Sequence, residues 1–300
     1  MSKHSFNAKA FTADIIPAPV KDLFADISFA QLVAAAISLA TGTPVSVEDT
    51  VTQDMLDKVT VFRVLSGEPR KITSLEGIGH LRALREVVIE RQFITQLPED
   101  FGTLAHLTSA HFVNSQLKYI PDWIGNLTAL TQLNLSSQIP LGIMRGALPE
   151  SIGNLLKLER LDLGNNNNLT GKLPDSLSKL TLLKNLLVQS NSFEDLTVLN
   201  QMPAATVINA RNQALGTSDL GTVAKNTPLP IRLPHVFVQV QTQGDILFDP
   251  AGIQILGSPG AYLDENHLYV HLPTQTTGLC EVTLGAHGLL TAITYTYRVN

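Results

Sequence analysis

One phrase, written four times over, constrains this chain more than anything else in it: LPEDFGTL from Leu97, IPDWIGNL from Ile120, LPESIGNL from Leu148 and LPDSLSKL from Leu173. Its prolines, Pro98, Pro121, Pro149 and Pro174, fall 23, 28 and 25 residues apart. A leucine-spaced segment follows each copy and is best written L-x-x-L-x-L. No single copy is large enough to bury its own apolar positions. The copies must therefore stack and share one core.

A unit of 20–29 residues with that strand pattern is the signature of a leucine-rich repeat solenoid. Units begin at Val59, Leu84, Leu107, Leu130, Leu158, Leu183 and, degenerately, Ala205, which makes about seven with lengths of 25, 23, 23, 28, 25 and 22 residues before the last. The first, fourth and sixth places point inward, as in Leu107, Ala110 and Phe112. The places between point out of a parallel sheet on the concave side, by the two-residue period of a strand. Phe62, Phe112 and Phe193 fall on inward places and are core. The ninth place favours Asn, whose amide can satisfy backbone groups of the neighbouring turn. Asn166 and Asn191 fit it; Gln92, Ser115, Gln138 and Gln213 stand there elsewhere, and the Asn165–Asn168 run leaves Asn166 or Asn167 as the ladder residue.

The flanks differ in pattern. Residues 1–24 show no periodicity and read as an arm; Asp14, Pro17 and Pro19 interrupt any apolar core a signal peptide would need. A helical cap is expected over 25–58. Its first helix starts near Ser28 with a Ser28/Gln31 capping box, buries Phe29, Leu32, Val33, Ala36, Ile37 and Ala40, and stops at Gly42. A second helix follows Thr50 or Thr52 and presents Met55, Leu56 and Val59. The repeats occupy 59–213. Over 214–300 leucine spacing gives way to β-rich runs at Val236–Val240, Ile246–Phe248, Ile253–Leu256, His267–Leu272, Cys280–Leu284 and Leu289–Val299, the pattern of a small β-sandwich. The fold class is thus an α/β solenoid with an N-terminal helical cap, followed by a small all-β domain.

Composition narrows the function. A net charge of −5 with no basic stripe argues against a nucleic-acid partner. One cysteine, Cys280, forbids an internal disulfide and a cysteine-built zinc site. It sits in GLCEVTLG, a strand-like context that suits a buried structural thiol. No nucleophile, base and metal constellation appears, so no catalysis, metal or cofactor is expected. No run is long enough for a transmembrane helix.

The candidate site is therefore the concave face. Its outward residues include Arg63, Arg85, Glu86, Glu90, Arg91, His111, Asn114, Gln132, Asn134, Arg160, Asp162, Asn185 and Gln189. Seven strands at ~4.8 Å make a face about 30 Å across, the scale of a standard protein interface. Tyr119 and Trp123 are candidate convex anchors. Trp123 aligns with Asp100, Ser151 and Ser176, places that should face solvent, and packing against the connection at 139–147 is the other reading of it.

The run VTQDMLDKVTVFRVLSGEPRKITSLEGIGHLRAL, Val51 to Leu84, resembles the cap and lead-in of the bacterial internalins. GALPESIGNL and LTGKLPDSLSKL look like plant-type repeats. The internalin resemblance implies an immunoglobulin-like domain over 214–300, an extracellular or cell-surface location, and recognition of a protein on the concave face; the chain is expected to be a monomer. A glycan partner, an adhesive or structural surface module, and an intracellular scaffold remain the competing readings.

Overall fold

In a computed structural model the described residues are 17–137, 144–166, 168–203, 206–210 and Gln213, with backbone strands alone beyond that. The chain begins with a short strand, β1 (Ala18–Pro19), and one helical turn, α1 (Val20–Leu23). Helix α2 (Ile27–Thr41) follows, then β2 (Thr50–Val51) antiparallel to β1, and a second helical turn, α3 (Gln53–Leu56).

The reading of residues 1–24 as an unattached arm is corrected in its last part. Ala18, Val20, Leu23 and Phe24 are buried, and β1 is hydrogen-bonded to β2. The helix start is corrected too. Asp26, not Ser28, caps α2, its carboxylate accepting from the Phe29 N–H at 3.0 Å. The other carboxylate oxygen accepts from the N–H and hydroxyl of Thr73 at 2.7 and 2.8 Å, so a single side chain starts the helix and ties it to the first repeat. Gly42 ends α2 in the left-handed region at φ 72°. Helical spacing puts Phe29, Ala30, Val33, Ala34 and Ile37 on one buried face, whereas Ala40 is exposed. Phe29 packs edge-on to Phe62 at 5.4 Å, which joins this helix to the first repeat strand.

Seven parallel strands follow: β3 (Val61–Val64), β4 (Glu86–Glu90), β5 (Ser109–Val113), β6 (Gln132–Asn134), β8 (Arg160–Asp162), β10 (Asn185–Leu187) and β12 (Val207–Asn209). They form one sheet in chain order. Register pairs Val61, Glu86, Ser109, Gln132, Arg160, Asn185 and Val207 in a row. The steps between those partners equal the unit lengths read from the leucines. Phe62, Val87, Ala110, Leu133, Leu161 and Leu186 form the inward row of this sheet and are buried. Opposite the sheet, each Pro phrase makes a short 3-10 turn, Glu99–Thr103, Asp122–Asn126, Glu150–Asn154 and Asp175–Lys179 among them. Such turns are wider than a strand, so the sheet takes the inner curve. Strands β7 (Arg145–Gly146), β9 (Asn168–Lys172) and β11 (Ser192–Asp195) add a second parallel sheet across the fourth to sixth repeats.

The ninth-place ladder works by donated amide protons. Asn166 reaches the carbonyls of Leu135 and Leu163, each at 3.0 Å; Asn191 reaches those of Leu163 at 2.9 Å and Val188 at 3.0 Å. Asn166 is thus the ladder residue of its run. The longer Gln213 reaches Val188 and Ala210, and Gln92 accepts from the Ile72 N–H. Gln138 lies outside the described residues.

Beyond Gln213 the strands are β13 (Ala214–Val223), β14 (Leu229–Arg232), β15 (Val240–Thr242), β16 (Asp245–Phe248), β17 (Ile253–Leu256), β18 (Tyr262–Leu263), β19 (Tyr269–Leu272), β20 (Gly278–Ala286) and β21 (Leu289–Val299). One sheet has the order β13-β21-β20-β17 and another β14-β19-β18. Strands β13, β14 and β18 were not anticipated. ALGTSDLGTV, for one, has two Gly and two Thr and lacks clean alternation. Residues 236–239 and the Cys280 side chain lie outside what is described.

Candidate functional site

The sheet's alternation sorts the expected contact residues into rows. Arg63, Val88, His111, Asn134, Asp162, Leu187 and Asn209 share one register row, flanked by the row of Glu86, Ser109, Gln132, Arg160 and Asn185. Many of these side chains bond to each other across or along the strands. Arg63 Nε donates to Glu86 Oε1 at 2.7 Å, Arg160 Nη2 to Asp162 Oδ2 at 2.9 Å, and Lys184 Nζ to Glu159 Oε2 at 2.7 Å. His111 Nε2 lies 2.9 Å from Ser109 Oγ. Glu90 accepts from the Ser66 N–H at 3.1 Å. Gln132 is exposed, and Gln189 lies over Gly164.

Three expected face residues sit elsewhere or deeper. The eighth place of four repeats adopts a left-handed backbone: Arg91 at φ 53°, Asn114 at 56°, Asn165 at 62° and Ser190 at 53°. Sheet alternation ends one residue earlier, so Arg91 and Asn114 occupy the turn that leaves the sheet. Their N–H groups still donate to the next repeat, at Val113 and Ser136 respectively. Asn tolerates this conformation well; Arg does so less readily. Asp162 is buried, held by Arg160 and by the Gly164 N–H at 3.2 Å, and shapes the face from beneath.

His111 is the titratable group at the centre of the face. Burial holds its imidazolium form below the ordinary histidine range, Arg160 acts in the same direction, and Glu86 and Asp162 oppose it. Glu86 is lowered, first by the hydrogen bond from Arg63 and against its own burial. The arrangement is a hydrogen-bonding surface of paired charges. Among the described residues no group of three His, Cys, Asp or Glu is placed to hold a metal.

The convex side corrects the expectation for Trp123. It is half-buried, its ring 6.3 Å from that of Phe101 and lying against Gly102 of the previous repeat. The aligned residues do the same. Asp100 packs on Gly79, Ser151 on Gly125 and Ser176 on Gly153, where an added Cβ would come within 2.9, 2.4 and 2.4 Å of a neighbouring atom. Asp100 also accepts from the Gly77 and Gly79 N–H groups at 2.9 and 3.1 Å, while burial pushes its carboxyl up. The second place after each proline therefore locks one repeat to the glycine of the one before. The recurring FG, IG and IG pairs were the available signal. Tyr119 is exposed, its hydroxyl 3.4 Å from Gln96 Oε1.

No protein-family model matches the chain. Receptor-like protein 53 of Arabidopsis thaliana is 36% identical over 101 residues, which is 33% of this chain and 10% of that protein. Adenylate cyclase of Podospora anserina is 28% identical over 149 residues, 49% of this chain and 7% of that protein. The chain spans a tenth or less of the length of these curated relatives. Among solved structures, the secreted internalin-like protein Lmo2445 of Listeria monocytogenes matches with a TM-score of 0.61, covering 95% of this chain and 99% of that one at 18% identity. The fold is a leucine-rich repeat solenoid. The solenoid's likeness to internalin-like proteins is one of fold, and no helix among its described residues is long and apolar enough to cross a membrane.

Proposed function

We propose that this solenoid is a non-enzymatic binding protein that recognises a protein partner on the concave sheet. The observation that carries the reading is the unbroken seven-strand register. It sets Glu86, His111, Gln132, Asn134, Arg160 and Asn185 on a continuous face whose charges are already paired, with Gln189 just past the end of its strand. Paired charges favour a partner that offers hydrogen bonds in matching geometry over one drawn in by net charge alone. Arg63, Glu90 and Asp162 frame that face. The helical segment over 25–58 acts as a cap, supported by Phe29 against Phe62. An immunoglobulin-like domain over 214–300 is supported by strand order, in which the first strand β13 runs parallel beside the last strand β21 and a second sheet is present. The likeness in fold to a secreted internalin-like protein supports an extracellular or surface setting.

The test compares the whole chain with His111→Ala/Gln132→Ala/Asn185→Ala as bait on candidate protein partners and on a glycan array. These three side chains are chosen because the buried Asp162 would confound binding with folding. Proteins held by the wild type and by a Lys118→Glu control, but lost by the triple variant, are the expected result. Equal retention by the triple variant, or capture of glycans alone, would refute it.

A further inference from the structure

The seven-stranded sheet has an open edge at β3. A parallel ladder turns the N–H and C=O of alternate residues to opposite sides of a strand. Thr60 C=O accepts from the Arg85 and Glu86 N–H groups at 2.8 and 3.2 Å, which fixes Thr60, Phe62 and Val64 as the residues facing β4. Val61 and Arg63 therefore direct their backbone groups away from the sheet. Among the described residues β3 pairs with β4 alone, and no backbone group bonds to Val61 or Arg63 from the outer side.

The helical segment covers the core side of this strand, where Phe29 packs on Phe62, and leaves its outward backbone groups unbonded. Strand edges that stay single are blunted by Pro, Lys or a bulge. VFRV has neither residue, and its register with β4 is unbroken. Its one charge, Arg63, gives its Nε to Glu86, while its Nη groups donate to nothing among the described residues. On the same side of the strand Val61 is 44% exposed and Leu65 54%. The edge ends at Leu65, whose C=O accepts from the Glu68 N–H at 2.9 Å.

We propose that β3 is a strand-addition site, at which an extended segment of a partner protein pairs with Val61 and Arg63. Such a segment carries aliphatic, acidic and aliphatic side chains at alternate places, beside Val61, Arg63 and Leu65. An extended chain presents donors and acceptors at the spacing these two residues require. The acidic place answers the Arg63 Nη groups, and its neighbours cover the exposed Val61 and Leu65. An antiparallel second copy that set Val61 beside Leu65 would place two Arg63 side chains opposite each other, which disfavours it. The site shares no residue with the triple variant above, so each can fail without the other.

The probe is a labelled peptide of about seven residues, Val-Thr-Glu-Thr-Val with Thr at each end, followed by fluorescence anisotropy on the full chain. Two further peptides carry N-methyl groups on one or the other set of alternate amides. One set should weaken binding tenfold or more and the other should not, because only one faces β3. In the free chain the Val61 and Arg63 N–H groups should exchange with solvent far faster than those of Phe62 and Val64, and the peptide should protect them. Val61→Pro removes an N–H that points away from β4, so it should weaken binding about tenfold while the melting temperature holds. If Val61→Pro unfolds, the methylated peptides on the wild-type chain decide. The His111→Ala/Gln132→Ala/Asn185→Ala variant should bind the peptide as the wild type does. No binding of the unmethylated peptide, equal binding of the two methylated ones, prior protection of Val61 and Arg63, unchanged affinity in folded Val61→Pro, or loss in the triple variant would each overturn the site. A dimer of the free chain that Val61→Pro dissociates would give the edge to a second copy and overturn the assignment as well.

Discussion

Gly153→Ala tests how closely the repeats are stacked. A methyl group there would sit 2.4 Å from the Ser176 Cβ, 2.6 Å from its carbonyl oxygen and 2.7 Å from its hydroxyl. Carbon atoms prefer about 3.5–4.0 Å, so Ser176 would have to retreat by ~1 Å or more. It cannot swing aside cheaply, because it is buried, its hydroxyl donates to the Glu150 carbonyl at 2.7 Å, and it lies within a 3-10 turn. Overpacking of this kind costs about 1–3 kcal/mol. For a protein of this size that lowers the melting temperature by roughly 2–4 °C per kcal/mol. Gly164→Ala is the internal comparison. The three atoms nearest its new methyl all belong to the Gln189 amide, the closest at 2.2 Å, and this is the far end of a flexible side chain with no hydrogen bond at its Oε1 to hold it in place. Any Gly→Ala change also gains about 0.4–1 kcal/mol by restricting the unfolded chain. Gly164→Ala should therefore be near neutral and Gly153→Ala clearly destabilised in paired thermal melts followed by circular dichroism. Equal melting temperatures for the two variants would refute the stacking argument.

Asn191→Leu removes both amide bonds to the Leu163 and Val188 carbonyls. Those carbonyls keep the bonds from Asn166 and Gln213, so two hydrogen bonds are lost at about 0.5–1.5 kcal/mol each, and a loss of about 1–3 kcal/mol is expected in denaturant titrations. Trp123→Ala should cost about 1–3 kcal/mol through lost packing on Phe101 and Gly102 while leaving partner binding intact; a binding defect in a variant of unchanged stability would restore it as an anchor. Asp26→Ala should lose the helix cap, about 0.5–2 kcal/mol, together with the ties to Thr73. Burial pushes the Asp26 carboxyl up, yet the bonds from Thr73, Phe29 and Ser74 outweigh it and leave the group below its ordinary value. An acid depressed in the folded state contributes stability above its unfolded pKa of about 3.9 and loses it as pH falls through the lower folded value. The gap in melting temperature between wild type and Asp26→Ala should hold at neutral pH and narrow below about pH 4; a gap independent of pH would contradict this account.

What the sequence determined by itself is whatever repeats along the chain. The leucine phases alone yield unit lengths of 25, 23, 23, 28, 25 and 22, and the strand register reproduces them from Val61 to Val207. Burial at Phe62, Phe112 and Phe193, the amide ladder at Asn166 and Asn191, and the stop at Gly42 were legible for the same reason: each follows from a residue's own chemistry at a known phase. The candidate face was legible as a list, because alternation on a strand is local. Which members lie on it was not. Arg91 and Asn114 leave the sheet at a left-handed turn, and only the position of a partner one repeat away makes Arg63 and Lys184 paired cations. Trp123 on Gly102, Ser176 on Gly153 and Asp26 on Thr73 are likewise contacts between residues 21 to 47 positions apart. Their existence depends on the distance and angle at which two repeats, or helix and repeat, come to rest, and tertiary packing alone sets that.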